Sequence, residues 1–189
     1  MPMPEPHHHA GHSSRAHLDA DELLKRVGLK AGNVLVDAGC GDGHVSIAAS
    51  PVVGPAGTIW ALDNEAPSLD KLARESYVKG IKNIKILNAD ISEKLPLQDG
   101  AADMAMMVNV LHGLASESKA EPALRELRRV LKPGGRLVIV DFEKKFGLFG
   151  PPKDVRLSPD ETEALASRAG FRKARQFEPA SSLYAIIFT

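Results

Sequence analysis

Three carboxylates follow short apolar runs at corresponding places: Asp37 after VLV, Asp63 after TIWAL and Asp90 after IKILNA. Behind the first lies a glycine-rich stretch, Asp37-Ala38-Gly39-Cys40-Gly41-Asp42-Gly43. Glycines there let the chain turn tightly and let a ligand approach the backbone, and a helix starting next adds unpaired N–H groups. The spacing is Gly-x-Gly-x-Gly rather than the Gly-x-Gly-x-x-Gly of a pyrophosphate binder. An acid two residues before the first glycine disfavours a phosphate and favours a cationic or amine-bearing ligand. A tight strand-to-helix turn with no ligand is the plain alternative. Asp63 can accept from both ribose hydroxyls of a nucleoside, or it can cap the next helix. Asp90 can accept from the exocyclic amine of adenine with Ile91 beside the ring, or it can serve a turn. Three acids in register with one glycine loop are more specific than any one of them.

These residues need elements to hold them. The chain has 189 residues, room for one domain with a full core. Residues 1–17 carry three of the prolines and five of the seven histidines, with almost no large apolar side chain. That composition cannot offset its ordering entropy and reads as a flexible tail. The cluster His7, His8, His9 and His12 could bind a transition metal, but a solvated tail is the simpler reading, and no metal site is assigned. From residue 18 onward strands and helices alternate. A capping box, Asp19 with Glu22, opens a helix that stops near Gly28. Residues 33–38, 58–63, 84–89, 102–110 and 136–142 read as strands. Helical spacing runs through Leu69, Leu72 and Ala73 to Gly80, and again from Ser116 through Ala120, Leu124, Leu127 and Leu131 to Pro133-Gly134-Gly135. Ser158-Pro159-Asp160-Glu161 opens a last helix, closed by Gly170. Two final strands, near residues 172–178 and 183–189, are joined by a link so short that they must pair antiparallel. The fold class is therefore α/β, a doubly wound sheet with helices on both faces. Ligands in such sheets bind outside the carboxyl ends of the strands, which is where Asp37, Asp63 and Asp90 stand.

Charge and composition bound the partners. Lys plus Arg and Asp plus Glu are both 24, so the net charge is zero. A nucleic-acid binder needs a basic excess, and none is expected as a partner. Cys40 is the single cysteine, which excludes an internal disulfide and a cysteine-based zinc site. No apolar run approaches the ~20 residues of a membrane span, and no signal peptide pattern opens the chain. A cytoplasmic protein, monomeric or homodimeric, is expected. The neutrality is a sum of unequal parts: residues 37–103 carry ten acids and six bases, and residues 104–156 carry six acids and ten bases.

Five motifs carry a family resemblance: VLVDAGCGDGHVS, ALDNE, NADI, ADMAMMVNVLH and LKPGGRLVIVD. The chain resembles a class I S-adenosylmethionine-dependent methyltransferase over nearly all of residues 18–189. Within that class it is most similar to the small methyltransferases of the ubiquinone/menaquinone-biosynthesis type. The resemblance implies a Rossmann-like seven-stranded sheet in the order 3-2-1-4-5-7-6 with strand 7 antiparallel. It implies S-adenosylmethionine as cofactor, S-adenosylhomocysteine as product and a small-molecule acceptor. By the same resemblance Asp37 serves the methionine amino end, and Gly39, Cys40 and Gly41 line the methionine part. Asp63 holds the ribose with Asn64 beside the adenine, Asp90 and Ile91 contact adenine, and Asn109 lies under the methionine part, facing the methyl group.

A sulfonium is already an activated methyl donor, so orientation of the nucleophile supplies much of the rate. A general base is needed only when that nucleophile is protonated at working pH. His112 is the best base candidate because histidine titrates near neutrality. Asp141, at the end of the fifth strand, faces the same rim. Packing or turn roles are the alternatives for both, and a structural role is favoured for His44. The fourth motif lacks the Asn/Asp-Pro-Pro-Tyr/Phe of enzymes that methylate DNA bases or protein glutamine, and one cysteine cannot serve arsenite methylation. Residues 143–157 could cover the acceptor through Phe146, Leu148 and Phe149, with Lys144 or Lys145 meeting an anionic substrate. A nicotinamide-dependent oxidoreductase, or a catalytically silent methyltransferase-like binding protein, is the competing expectation.

Overall fold

The structure, a computed structural model, describes residues 13–145 and 150–189. His7, His8, His9 and His12, and Phe146, Leu148 and Phe149, lie outside them. The strands are β1 (Val34–Ala38), β2 (Thr58–Asp63), β3 (Ile84–Asn88), β4 (Ala102–Val108), β5 (Leu131–Phe142), β6 (Lys173–Phe177) and β7 (Leu183–Phe188). The helices are α1 (Ala20–Val27), α2 (His44–Val53), α3 (Ala66–Val78), α4 (Leu111–Ser116), α5 (Ala120–Val130) and α6 (Pro159–Arg168).

All seven strands join one sheet in the order β3-β2-β1-β4-β5-β7-β6. The first five are parallel to one another, and β7 runs antiparallel to both β5 and β6. The expected topology is the observed one. Strand residues alternate between two cores, as the period of two in a pleated strand requires. Leu35, Met104, Met106, Val138 and Val140 pack with Leu23, Leu24, Val45 and Ala49 of α1 and α2. Val36, Ala105, Met107, Leu137 and Ile139 pack with Ala123, Leu124 and Leu127 of α5 on the other face. Both faces of the central strands are covered, which is why they read as continuous apolar runs.

Local signals explain several ends. Asp19 accepts from Glu22 N at the start of α1, and Gly28 stops it at φ 69°. Arg136 donates to the carbonyls of Val27 and Gly28, satisfying groups that the helix end leaves open. Ser158 and Glu161 form a full capping box on α6.

Four boundaries differ from the sequence expectation. The fourth strand stops at Val108, because Asn109 adopts a left-handed φ of 60° that no strand contains. A separate short helix, α4, follows at once, and Ser116 ends it rather than opening α5; its hydroxyl donates to Gly113 O. At the fifth strand, Leu131 already pairs with Ala102 before the Pro133-Gly134-Gly135 turn, and pairing resumes at Arg136 with Met104. Lastly, residues expected in the tail carry structure: Ser14–Ala16 form a 3-10 turn, and Arg15 and His17 make contacts far along the chain. Long-range polar contacts from Arg15 and His17 hold this stretch, whose one apolar side chain is Ala16.

Candidate active site

β1 lies between β2 and β4, so the turn after it sits in mid-sheet. Asp37 is buried at the carboxyl end of β1 and accepts from Ser46 Oγ at 2.6 Å. Burial pushes its pKa up to about 6; the Ser46 hydroxyl works against that rise and the nearby Asp63 carboxylate adds to it.

The glycine loop is tied to the end of β2. Gly39 N and Cys40 N both donate to Leu62 O, at 2.8 and 2.9 Å. Gly41 N donates to Asp63 Oδ2 at 2.8 Å, and Glu65 N donates to Asp63 Oδ1 at 2.9 Å. Asp63 therefore fixes the loop and the start of α3 while each of its oxygens keeps a further lone pair. Two glycines differ in what they do. A Cβ on Gly39 would lie 2.4 Å from Val110 Cγ2, so Gly39 is required for close packing against the segment after β4. Gly41, at φ 53°, would place its Cβ with no atom within 4 Å and opens onto free space. Cys40 packs its side chain with Ala61, Leu69 and Leu72, and burial raises its thiol pKa far from the reactive range. Asn64 stands exposed directly after Asp63.

At the end of β3, Asp90 Oδ1 accepts from Ser92 N and Ser92 Oγ, and Oδ2 meets Lys119 Nζ at 3.0 Å. Burial opposes its ionisation, but the Ser92 and Lys119 bonds prevail and hold the carboxyl below its usual range. Ile91 is 5% exposed and belongs to the core that packs against α5.

At the ends of β4 and β5 a second group gathers. Asn109 Oδ1 is buried and has no hydrogen-bond partner. His112 is 6% exposed, and its Nδ1 lies 2.7 Å from Oδ1 of the fully buried Asp141. His112 N donates to Asp141 Oδ2 at 3.1 Å, and Phe142 N donates to Oδ1 at 2.8 Å. Asp141 thus ties the start of α4 to the end of β5. With Nδ1–H donated to the carboxylate, the ring is held in one tautomer.

The structure brings Asp37, Gly39, Gly41 and Asp63 into one braced loop and pairs His112 with Asp141. His44 is structural, its Nε2 3.0 Å from Leu18 O. Lys144 pairs with Glu161 and Lys145 with Glu143. Sequence reading missed Arg15, which bridges Asp42 at 3.1 Å and Glu75 at 2.8 Å. It also missed Ser46, Lys119, Phe142 and His17. Only Ser46 had a local signal, since it lies in the first helical turn after the loop. Among the described residues no group of His, Cys, Asp and Glu could hold a metal, and no helix is long and apolar enough to cross a membrane.

A glycine loop open at Gly41, an acid behind it, spare lone pairs on Asp63 and the unpartnered Asn109 Oδ1 suit a ligand bearing both hydroxyls and a cation. Relatives carry the same architecture. A ubiquinone/menaquinone biosynthesis C-methyltransferase UbiE from Pseudomonas paraeruginosa is 36% identical over 119 residues, 62% of this chain and 44% of that protein. The chain thus spans less than half the length of the curated relatives it matches. The crystal structure of a SAM dependent methyltransferase from Aquifex aeolicus superposes with a TM-score of 0.86 at 29% identity, covering 95% of this chain and 93% of that one. The [4+2]-cyclase SpnF superposes at 0.73 with 25% identity, covering 86% of this chain and 59% of its own. The family model for a methyltransferase domain matches residues 29–171. By that match and by its sheet order, the chain belongs to the methyltransferase domain family, as a class I S-adenosylmethionine-dependent methyltransferase.

Proposed function

We propose that this methyltransferase acts on a small-molecule acceptor held at the rim of β4 and β5, with the cofactor held at the ends of β1, β2, β3 and β4. The observation that carries the reading is the buried, unpartnered Asn109 Oδ1 standing beside a glycine loop that is open at Gly41. A buried acceptor without a donor costs about 1–3 kcal/mol, and a ligand ammonium recovers it. The residues fit the cofactor's parts. Asp63 retains lone pairs for ribose hydroxyls, and Asp37 and Asn109 supply negative charge and a carbonyl for the ammonium. Asp90, Ile91 and Asn64 are assigned to the adenine end, and Gly39, Cys40 and Gly41 to the methionine part through their backbone.

The cofactor, when bound, supplies a methyl group on a positively charged sulfur, ready for displacement by an in-line nucleophile. The chain then has to bind, orient and exclude water. Asp141 fixes the His112 ring and its tautomer, and His112 Nε2 takes the proton of the acceptor where that acceptor is protonated. The net acidity of residues 37–103 favours a cationic ligand on that side of the rim. Family membership leaves the nicotinamide oxidoreductase alternative without support.

The test is turnover. The chain is incubated with S-adenosylmethionine and single acceptors from a panel of quinols, phenols, amines and thiols. Quinols lead the panel because the UbiE relatives are named for ubiquinone and menaquinone biosynthesis. S-adenosylhomocysteine and the methylated acceptor are read by mass spectrometry. Stoichiometric formation of both with one acceptor class is expected. Cofactor binding with no turnover on any of these, alongside turnover on a protein or nucleic acid, would overturn the small-molecule reading.

A further inference from the structure

Residues 13–18 cross the carboxyl rim as a strap. Arg15 bonds to Asp42 of the glycine loop and to Glu75 of α3. The carbonyl of Leu18 meets His44 Nε2 on α2. Between them His17 leans over the second half of the rim, its ring centroid 5.5 Å from that of Phe142. Its Nε2 lies 3.1 Å from Asn109 Nδ2.

That contact has one sensible polarity. An amide nitrogen only donates, so the imidazole nitrogen must accept. The ring is then unprotonated and carries its hydrogen on Nδ1. Its environment agrees: burial lowers the His17 pKa and the neighbouring His44 adds to the effect, both favouring the neutral ring. The same bond orients the amide. With Nδ2 committed to the strap, Oδ1 points the other way, into the buried place where it has no partner. Without His17 the amide can turn over and present N–H instead of C=O. For a ligand cation that exchanges an attractive dipole for a repulsive one.

We propose that His17 is a positioning residue for the cofactor's ammonium group, holding the Asn109 amide with its carbonyl turned inward as the acceptor. The inference rests on the reading that this rim binds S-adenosylmethionine, and adds a residue from a segment 92 positions away. It gives the strap a chemical task distinct from covering the site.

The test compares two ligands by calorimetric titration of the full chain at pH 7.5: S-adenosylhomocysteine, and 5′-methylthioadenosine, which lacks the amino-acid end. His17→Ala should weaken S-adenosylhomocysteine about tenfold, ~1.4 kcal/mol, and leave 5′-methylthioadenosine within twofold. His17→Phe, which keeps a ring against Phe142 but no acceptor, should behave like His17→Ala. His17→Gln, which restores an acceptor, should recover most of the affinity. Melting curves confirm that each variant is folded. Equal weakening of both ligands, or unchanged S-adenosylhomocysteine affinity in His17→Ala and His17→Phe, overturns the positioning role while the cofactor reading stands. Failure of the unmodified chain to bind S-adenosylhomocysteine overturns both.

Discussion

At the ends of β1, β2 and β3 each acid has a bond within its own strand and the segment that follows it, and Asp90 adds a remote one, to Lys119 across 29 residues. Asp90 serves Ser92, Asp37 serves Ser46, and Asp63 braces the glycine loop through Gly41 N and its own turn through Glu65 N. At the ends of β4 and β5 the side-chain partners are remote. Asp141 holds His112 across 29 residues, and Asn109 meets His17 across 92. The first half is a braced cradle that exists before any ligand arrives. The second is assembled from separate segments and leaves one buried acceptor open. On the proposed function the difference becomes a division of labour: the cradle is assigned cofactor affinity, and the assembled half is assigned chemistry and the orientation of the cofactor's charged end.

The sharpest way to break this division is His112→Ala. With the acceptor found by the turnover screen, kcat should fall by about 10²–10⁴-fold, the usual contribution of a positioned base. S-adenosylhomocysteine affinity should stay within threefold. A parallel fall in affinity, or a lower melting temperature accounting for the lost activity, would make the His112–Asp141 pair a structural latch instead.

Asp63→Ala probes the cradle. It removes the charged acceptor for two backbone N–H groups and for the ribose. Charge-assisted bonds contribute about 1.5–3 kcal/mol each, so calorimetry should show affinity lower by about 100-fold. kcat at saturating cofactor should change far less.

Asp37→Asn separates affinity from stability. Between pH 4 and 6 the folded chain keeps a proton on Asp37 that the unfolded chain has released. Stability therefore falls as pH rises through that window, and the loss is complete above it. A rise from 3.8 to about 6 corresponds to about 3 kcal/mol. The asparagine variant should melt about 6–12 °C higher at pH 7.5, lose that pH dependence, and bind the cofactor more weakly. An unchanged melting profile from pH 4 to 8 would contradict the burial account of Asp37.

Arg15→Ala is the mildest. Its two ion pairs are partly exposed, and such pairs contribute about 0–1 kcal/mol each. The melting temperature should drop by only about 2–4 °C, with more of the loss at low salt. A larger drop would mean that the strap is part of the core.

The same division governed what could be read from sequence. Asp37, Gly39, Gly41 and Asp63 were legible because the turn, the helix start and the acids act within one strand-loop-strand unit. Alternation carried the fold class and the short terminal link the antiparallel end pair, while the strand order came from the resemblance alone. The end of β4 was not legible: Asn109 looks like a strand residue until its left-handed φ is seen, and six-residue α4 has neither a cap nor a long stripe. His17 was hidden by its neighbours' composition. A histidine among prolines and histidines reads as solvated, and only its tertiary contacts with Asn109 and Phe142 contradict that. Ile91 was legible as an apolar rim residue, but its depth in the core was not.

The central claim is that the chain binds the methyl donor and its product at the cradle. Calorimetric titration of the unmodified protein with S-adenosylhomocysteine at pH 7.5 tests it most directly. The account requires one saturable site per chain, competed by S-adenosylmethionine. No heat, and no rise in melting temperature at millimolar ligand, would contradict it.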